Sequence, residues 1–310
     1  MKKALVTGIC GFAGSSLRRE LEDAGYDVYG ADIVSFDDKV SKIDLLDKEA
    51  CSDLIGRIKP DIIFNLAGQA SPIISWKDIN LTMHLNVDLS VNMAEAVIKH
   101  VPGSRIVFIG SANQYDLKTC EDGLAGEDTA KVNNSPYAVS KNTQEDILRL
   151  MEKKYGLDMC FTRSFNHVGP GQKPGFVVTD YSLRIARLEA GLIDTFEYGD
   201  LDSWRDFSDV RDVTRAYRLI GESGKKGEIY NVGSGRSYYI RDLIGALVEM
   251  SPEASQKTSL PERLPDDALV HYRADIGKLQ ADTGFAPRFD VFETLPSILD
   301  AYRRQVRADA

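Results

Sequence analysis

The chain has 310 residues, of which 43% are hydrophobic and 27% charged, and its formal net charge is −9 at pH 7. This length and composition exclude a disordered or fibrous protein and indicate a globular chain with enough apolar residues for one large domain or a domain and a half. The acidic balance argues against nucleic acid or an anionic membrane as partner, because both need clustered Lys and Arg, but it leaves room for an anionic small molecule.

Short apolar runs rich in β-branched residues alternate with longer amphipathic stretches over the first half of the chain. The runs predict strands at residues 4–8, 27–32, 61–67, 105–111 and 159–165. The stretches predict helices near residues 14–24, 47–58, 80–100 and 137–155. Nearly continuous apolar strands separated by helices are typical of a parallel sheet covered on both faces. We therefore predict the α/β class, with a doubly wound parallel sheet of the Rossmann type.

The regular alternation ends near residue 166, where GPGQKPG is a loop by its Gly and Pro content. The rest of the pattern predicts a strand at 228–233, a loop-like segment at 251–267, and helices near 177–191, 209–222, 240–250, 275–283 and 291–307. We predict two units, a Rossmann domain and a smaller, mostly helical C-terminal lobe. Their boundaries are 1–165 with 208–233 returning to it for the domain, and 166–207 with 234–310 for the lobe.

A glycine triplet follows the first predicted strand. In TGICGFAG, Gly8, Gly11 and Gly14 have the spacing GxxGxxG and precede the first helix. Glycine at such positions allows a tight turn, close approach of the backbone to a pyrophosphate, and close packing of the helix on the strand. The helix N-terminus then directs free N–H groups and a partial positive charge at the phosphates. This placement between strand and helix predicts a dinucleotide cofactor.

The second predicted strand ends at Asp32, 18 residues after Gly14. A carboxylate there can accept hydrogen bonds from the adenosine ribose and would repel a 2′-phosphate. No Arg or Lys follows until Lys39, so we expect NAD(H) and keep NADP(H) as the alternative. Asp44, in KIDLLD, could bind the adenine amino group. For both acids the alternative is a solvated turn residue.

A serine, a tyrosine and a lysine could carry the chemistry. Tyr137 and Lys141, in SPYAVSK, are four positions apart, so they share one helix face at about 5–6 Å between Cβ atoms. The ammonium would favour the phenolate of a tyrosine whose ordinary pKa is about 10, which could then exchange a proton with a sugar oxygen during hydride transfer. Ser111 ends the fourth predicted strand, at the edge where ligands bind, and could polarise the same carbonyl. The alternatives are a strand-end cap for Ser111 and a surface helix residue behind Pro136 for Tyr137.

These motifs together resemble, from end to end, the extended short-chain dehydrogenase/reductases that act on nucleotide sugars. TGICGFAG matches the family's TGxxGFxG, NLAGQAS resembles its HLAAxxx segment, and SANQY with SPYAVSK matches its Ser/Thr and YxxxK set. The resemblance implies that Tyr137 is the general acid/base, Lys141 its helper and Ser111 the hydrogen-bond donor to the carbonyl. Asn86, in the NV of HLNVDLSVNMAEAV, would lie near the active site in a structural or relay role.

The resemblance also implies an NAD-binding Rossmann domain, a nucleotide-sugar-binding lobe, and a homodimer formed through the helices near 80–100 and 137–155. The candidate cofactor-binding residues are Gly8, Gly11, Phe12, Gly14, Asp32, Asp44, Leu45, Leu66, Ala67, Tyr137 and Lys141.

Three segments of the second half resemble the branch of the family that handles GDP-4-keto-6-deoxy-mannose. They are RSFNHVGPGQKPGFVVTDY, SWRDFSDVRDV and YNVGSGRSYYIRDL. In that branch the Asn of RxFNHxGPGQ contacts the substrate diphosphate, and the Arg of the RDF motif reaches the phosphates, a task that suits its planar fork. The candidate substrate-binding residues are Asn113, Asn166, Val177, Arg184, Arg205 and Arg263. Each arginine has a solvated surface charge as its alternative.

The dehydratases of this branch carry an acid, usually Glu, where this chain has Asn113. An amide cannot take up or deliver the proton that elimination of water requires. The resemblance therefore implies a reductase that uses NADH to reduce the C4 ketone of a GDP-4-keto-6-deoxyhexose, with GDP-D-rhamnose as the favoured product. Two positions depart from the family pattern. Asp116 stands where the family has Gly after Tyr115, and ERLPDD has only Arg263 where the branch has an RLRP-like stretch with an additional Arg. The identity of the nucleotide base therefore stays open.

Three alternatives stay open beside the reductase. They are a 4-epimerase with tightly bound NAD, a keto-sugar dehydrogenase acting on another nucleotide, and a non-enzymatic dinucleotide sensor, although such sensors typically lack the Tyr or the Lys. The sequence does not fix the C4 stereochemistry of the product.

The remaining signals concern metals, disulfides and location. The four cysteines lie far apart without a CxxC, and the four histidines have no metal-like spacing, so we predict neither a disulfide framework nor a metal site.

MKKALVTG enters a strand pattern at once without an apolar signal region, and no later run reaches about 18 apolar residues. We predict a cytoplasmic protein.

Overall fold

The computed structural model describes residues 1–265 and 269–309. Its strands are β1 Lys3–Thr7, β2 Asp27–Asp32, β3 Val40–Lys42, β4 Ile62–Asn65, β5 Arg105–Ser111, β6 Leu124–Ala125, β7 Asp158–Ser164, β8 Asn166–Val168, β9 Trp204–Asp209, β10 Ile229–Val232, β11 Ser237–Tyr239 and β12 Arg273–Ala274. Its helices are α1 Phe12–Asp23, α2 Lys48–Ile58, α3 Pro72–Ser75, α4 Ile79–Met83, α5 Leu89–His100, α6 Pro136–Tyr155, α7 Val177–Glu189, α8 Val210–Ser223, α9 Ile240–Glu249, α10 Pro252–Lys257, α11 Gly277–Thr283 and α12 Val291–Asp309. A π-helical turn at His84–Asp88 joins α4 to α5, and 3₁₀ turns lie at Ala112–Gln114, Leu117–Thr119 and Glu121–Gly123.

Seven parallel strands form the main sheet, in the order β10-β7-β5-β4-β1-β2-β3. The order reverses between β1 and β4, which makes their C-terminal ends a topological switch point where ligands bind in such sheets. Thr7 at the end of β1 is in register with Ala31 and Asn65, and Ser111 with Ser164, so the strand ends form one edge. The predicted α/β class with a doubly wound parallel sheet is confirmed.

Two apolar layers cover the main sheet because successive strand residues point to opposite faces. On one face Ala4, Val6 and Phe64 pack with α1 and α8; on the other face Leu5 and Ile63 pack with α2, α5 and α6. Both faces are therefore buried, which explains why the strands are nearly continuous apolar runs. Among the described helices, none combines the length and apolar character needed to cross a membrane.

The C-terminal lobe has a core of its own, in which α7, α9, α10 and α12 pack together. It also contains the three-stranded sheet β11-β9-β8, which the sequence prediction of a mostly helical lobe missed. A second correction concerns 251–267, predicted as a loop, where Pro252–Lys257 forms α10 capped by the Ser251 side chain. The domain boundaries that we infer from the sequence stay a prediction.

Candidate active site

The glycine triplet forms a tight turn between β1 and α1. Gly8 has φ +66° and donates its N–H to the Ala31 carbonyl at 2.8 Å. A Cβ on Gly14 would lie 2.1 Å from the Gly8 carbonyl oxygen, so a larger residue cannot occupy this position without moving the turn. Helix α1 begins at Phe12, and no side chain caps it at Gly11. The turn thus fits the pyrophosphate cradle that its sequence predicts.

The other candidate cofactor residues follow the ends of neighbouring strands. Asp32 accepts a hydrogen bond from the Cys10 N–H at 3.0 Å, which fixes the carboxylate beside the glycine turn. Ala67, after Leu66, donates its N–H to the Thr7 hydroxyl at 3.0 Å. Asp44 is exposed and accepts the Leu46 N–H within a turn. The Leu45 side chain lies in the core, so this residue could contact a cofactor only through its backbone.

Ser111 lies at the end of β5, and its hydroxyl oxygen accepts hydrogen bonds from Asn113. The backbone N–H and the side-chain amide of Asn113 both donate to this oxygen at 3.2 Å. Because the oxygen already accepts two hydrogen bonds, the hydroxyl proton is the part of Ser111 left to donate, either to Tyr137 or to a substrate oxygen beside it. Asn113 therefore orients Ser111.

Tyr137 lies in the first turn of α6, which begins at Pro136 behind the N-cap Ser135. The Tyr137 N–H donates to the Ser75 hydroxyl at 3.2 Å, and the phenol is 5% exposed. Burial raises the pKa of Tyr137, and a hydrogen bond with Ser111 opposes part of this rise. The phenol consequently holds its proton near neutral pH, as a proton donor to an alkoxide must.

Lys141 lies one turn after Tyr137 and is also buried. Its ammonium donates to the Ile109 carbonyl at 2.8 Å and to the Gln144 side-chain oxygen at 3.1 Å. Burial lowers the pKa of Lys141 to about 8. We expected its charge to lower the pKa of Tyr137, but the pKa of Tyr137 is raised by burial, and the ammonium is directed at Ile109 and Gln144 instead.

A chain of hydrogen bonds continues from Lys141 towards the glycine turn. Gln144 donates to the Ser90 hydroxyl at 2.5 Å, and the Asn65 amide donates to the same hydroxyl at 3.1 Å. Thr7 donates to the Asn65 carbonyl at 3.0 Å. The catalytic candidate on α6 and the end of β1 are thus joined through buried polar groups. Single positions such as Gln144 carry no motif, which is why the sequence analysis missed them.

Asn86 lies in the π-helical turn between α4 and α5 and is fully buried. Its carbonyl accepts the Gln69 N–H at 2.9 Å, and its amide donates to the Ser140 hydroxyl at 2.8 Å. Ser140 in turn donates to the Tyr137 carbonyl at 2.8 Å. π-Helical turns are frequent at functional sites, and this one ties the loop after β4 to the start of α6.

A buried ion pair lies behind Ser111. Arg163 binds Glu145 bidentately at 2.7 and 3.0 Å, and Lys131 adds a contact to Glu145 at 2.9 Å. Gln114 donates to Glu145 at 3.0 Å and accepts the Ser111 N–H at 2.9 Å. Burial raises the pKa of Glu145, but the hydrogen bonds and charges of Arg163 and Lys131 outweigh it, so the pKa lies below its ordinary value.

The candidate substrate residues lie on different elements of the lobe. Asn166 is exposed at the start of β8 and donates to the Asp206 carbonyl at 3.1 Å, while Val177 begins α7. Arg184 is exposed and donates to the Glu197 carbonyl. Arg263 pairs with Asp242 at 2.6 Å and lies 4.8 Å from the centre of the Tyr239 ring.

Arg205 differs from these two arginines because it is partly buried and has no ion-pair partner among the described residues. In the described part of the chain it forms no ion pair; it donates to the Trp204 carbonyl and lies 5.2 Å from the centre of the Tyr272 ring. Burial lowers the pKa of its guanidinium. A partly desolvated cation without a carboxylate gains when an anion compensates it, so Arg205 is suited to bind one.

Within residues 1–265 and 269–309, no three His, Cys, Asp or Glu side chains converge as metal ligands. The candidate groups at the edge of the sheet are instead the Tyr137 phenol, the Ser111 hydroxyl and the Lys141 ammonium. They accompany the glycine turn that we predict to bind a dinucleotide. Together they suit hydride exchange at a carbonyl.

Comparison with known proteins gives consistent matches. Residues 4–233 match the model of the "NAD dependent epimerase/dehydratase family". The chain is 30% identical to a GDP-6-deoxy-D-mannose reductase of Pseudomonas aeruginosa, with 99% of each chain covered. The structure of RMD from Pseudomonas aeruginosa complexed with NADPH is 29% identical with a TM-score of 0.85, covering 98% of this chain and 100% of that one. A Thermus thermophilus UDP-glucose 4-epimerase in complex with NAD is 28% identical with a TM-score of 0.81, covering 97% and 99%.

Proposed function

Because this chain belongs to the NAD dependent epimerase/dehydratase family, we propose that it is an NAD(P)H-dependent reductase of the C4 ketone of a GDP-4-keto-6-deoxyhexose. The chain is an oxidoreductase or epimerase of nucleotide sugars by this membership, and it binds a nicotinamide cofactor. The product that we favour is GDP-D-rhamnose. D-Rhamnose is 6-deoxy-D-mannose, the sugar named in the Pseudomonas aeruginosa relative.

The observation that carries the reductase proposal is the pairing of Asn113 with Ser111. The backbone N–H of Asn113 and one N–H of its side-chain amide both donate to the Ser111 oxygen. An amide at this position neither accepts nor delivers the proton that elimination of water across C5 and C6 would need. This leaves Tyr137 as the acid/base group for redox chemistry at C4, and the similarity to the GDP-6-deoxy-D-mannose reductase supports reduction over epimerisation.

The proposed mechanism assigns one task to each residue. A nicotinamide cofactor, whose pyrophosphate the turn formed by Gly8, Gly11 and Gly14 would hold, would supply the hydride. Ser111 donates a hydrogen bond to the ketone oxygen, and Tyr137 gives its phenolic proton to that oxygen as the alcohol forms. The phenolate then recovers a proton from solvent; the Lys141 ammonium would have to exchange its contact with Gln144 for one with the phenolate in order to stabilise it.

Arg205 supports a diphosphate-linked sugar as the substrate. Its guanidinium can bind two phosphate oxygens in parallel, and burial strengthens such contacts. Asn166, Val177, Arg184 and Arg263 are proposed to complete the nucleotide site. Arg184 and Arg263 already bind other groups and would have to exchange or share them.

The direct test mixes the purified chain with GDP-4-keto-6-deoxy-mannose and NADH. We expect NADH absorbance to fall by one equivalent per sugar, with GDP-6-deoxyhexose as the product. Arg205→Gln should raise KM for the sugar about tenfold or more while leaving NADH binding unchanged, because a charged hydrogen bond to phosphate contributes roughly 1.5–3 kcal/mol. Interconversion of the C4 epimers of a nucleotide sugar that carries a C4 hydroxyl, without added NADH, would identify an epimerase, and no turnover of the keto sugar with NADH would reject the reductase.

We further propose that the chain forms a homodimer through the helices near residues 80–100, which comprise α4, the π-helical turn and α5, and near 137–155, which is α6, in a cytoplasmic setting. Large apolar side chains are exposed near these helices, among them Leu81 (46% exposed), Leu150 (69%) and Trp76 (63%). A second copy of the chain would remove them from water.

Light scattering tests the dimer. Leu150→Glu should convert a dimer of about twice the chain mass into a monomer, because it places a charge within an apolar interface. Leu192→Glu is the matched control, since Leu192 is also exposed (58%) but lies in the lobe after α7, and it should stay dimeric. A wild-type monomer, or equal effects of both variants, would refute this interface.

A further inference from the structure

A cleft of about 300 Å³ opens between α1 and the segment that follows β2. Cys10, Arg18, Arg19, Glu22, Phe36 and Asp37 line it. At one end Cys10 donates its N–H to Asp32, the residue proposed for the adenosine ribose hydroxyls. The cleft therefore extends from the position proposed for the adenosine ribose into a space lined by charged side chains. The roles proposed for the glycine turn and Asp32 do not include this space.

Arg18 is held inside this cleft by two carboxylates. Its Nε binds Glu22 at 2.8 Å and its Nη1 binds Asp37 at 2.5 Å. Asp37 is fixed in turn, because its second oxygen accepts the Lys39 N–H at 2.9 Å. The Arg18 side chain is 27% exposed and that of Asp37 39%, so Arg18 is partly shielded from water while Asp37 faces solvent.

The other nearby cations do not replace Arg18. Lys39, the first basic residue after Asp32, binds Asp27 at 2.8 Å instead of facing the cleft. Arg19 donates to the Ser15 carbonyl. With Asp32, Glu22 and Asp37 present, carboxylates outnumber the guanidiniums of Arg18 and Arg19, and a ribose 2′-phosphate would bring nearly two further negative charges.

We propose that the ion pair between Arg18 and Asp37 sets the choice between NADH and NADPH. While Asp37 holds Arg18, the cleft repels a 2′-phosphate, and the cofactor without this group is preferred. Removing the Asp37 charge leaves Nε of Arg18 with Glu22 but frees Nη1, so that the two Nη groups can bind the phosphate bidentately. This inference rests on the nicotinamide cofactor of the proposed function and names the residues that select it.

The test measures binding and not turnover. Calorimetry would compare ADP-ribose with 2′-phospho-ADP-ribose, which lack the nicotinamide and undergo no hydride transfer. Wild type should bind ADP-ribose more tightly than 2′-phospho-ADP-ribose. Asp37→Asn should bind 2′-phospho-ADP-ribose about tenfold more tightly than wild type does, with ADP-ribose affinity changed less than about threefold.

Two further variants separate the ion pair from a general charge effect. Asp38→Asn removes the same charge one residue away, at an exposed position, and should leave the ratio of the two affinities near that of wild type. Adding Arg18→Gln to Asp37→Asn should abolish the gain. The proposal would be overturned if wild type preferred 2′-phospho-ADP-ribose, or if Asp37→Asn gained no affinity for it. It would also be overturned if Asp38→Asn gained as much, or if the gain survived the loss of Arg18. Because no reaction is measured, the outcome stands whether or not the chain reduces a keto sugar.

Discussion

Replacing Tyr137 by Phe is expected to lower kcat for ketone reduction about a thousandfold, because the hydroxyl is the proposed proton donor and general acid catalysis contributes roughly 10²–10⁴-fold. The ring would still fill its buried position, and its backbone N–H would keep the contact with Ser75. NADH should still bind, because the turn at Gly8–Gly14 is untouched, but its affinity should fall by up to about tenfold, since Tyr137 is also a candidate cofactor-binding residue and the variant loses one hydroxyl contact. Stopped-flow or steady-state NADH absorbance, with a separate titration of NADH binding, measures both quantities.

The matched control for this prediction lies on the same helix. Tyr155 ends α6 and is 49% exposed, so Tyr155→Phe removes an identical hydroxyl away from the sheet edge and should keep wild-type turnover. If Tyr137→Phe turned over like wild type, the proton donor would have to be another group, and the mechanism proposed for Ser111, Tyr137 and Lys141 would fail.

The main sheet could be predicted from the sequence because its strands are buried on both faces and read as apolar runs. The prediction for β2 agrees with the structure residue for residue, and that for β5 likewise. Strand β9, WRDFSD, was missed because it is largely polar, and it forms by pairing with β8 and with β11, about 30 residues further on. Such pairing partners cannot be identified from a local pattern.

The residues of the candidate site also divide into those that could be predicted from the sequence and those that could not. The glycine turn, Asp32, Tyr137 and Lys141 have fixed spacings on single elements, so the sequence identifies them. Arg18 and Gln144 have no such signal, because their relevance comes from groups brought close by the fold, namely the segment after β2 for Arg18 and Ser90 for Gln144. Their positions become informative only once distant elements are placed together.

Glu145→Gln is expected to lower the free energy of unfolding by about 3 kcal/mol or more, because it leaves the buried guanidinium of Arg163 without a compensating charge. Both side chains are nearly inaccessible to solvent, at 3% and 6% exposure. Urea unfolding followed by circular dichroism measures the loss. Asp146→Asn removes a carboxylate that binds the same Lys131 from an exposed position, and should cost less than about 1 kcal/mol.

The dependence of this loss on pH follows from the lowered pKa of Glu145. A carboxyl whose pKa is lower in the folded state stabilises the protein above its unfolded pKa, about 4.3, and loses this contribution as the pH falls through the folded value. The difference between wild type and Glu145→Gln should therefore be largest near neutral pH and shrink in acid. A difference that grew in acid would contradict the charge pairing of Glu145.

Removing both partners separates the ion pair from the packing around it. Replacing Glu145 by Leu together with Arg163 by Met should cost less than Glu145→Gln alone, because no charge is then left buried. Gln114, however, loses its carboxylate partner in both variants, while it continues to accept the Ser111 N–H. If the double variant recovers stability but not turnover, Glu145 positions Ser111 through Gln114; if both recover, the ion pair serves stability alone.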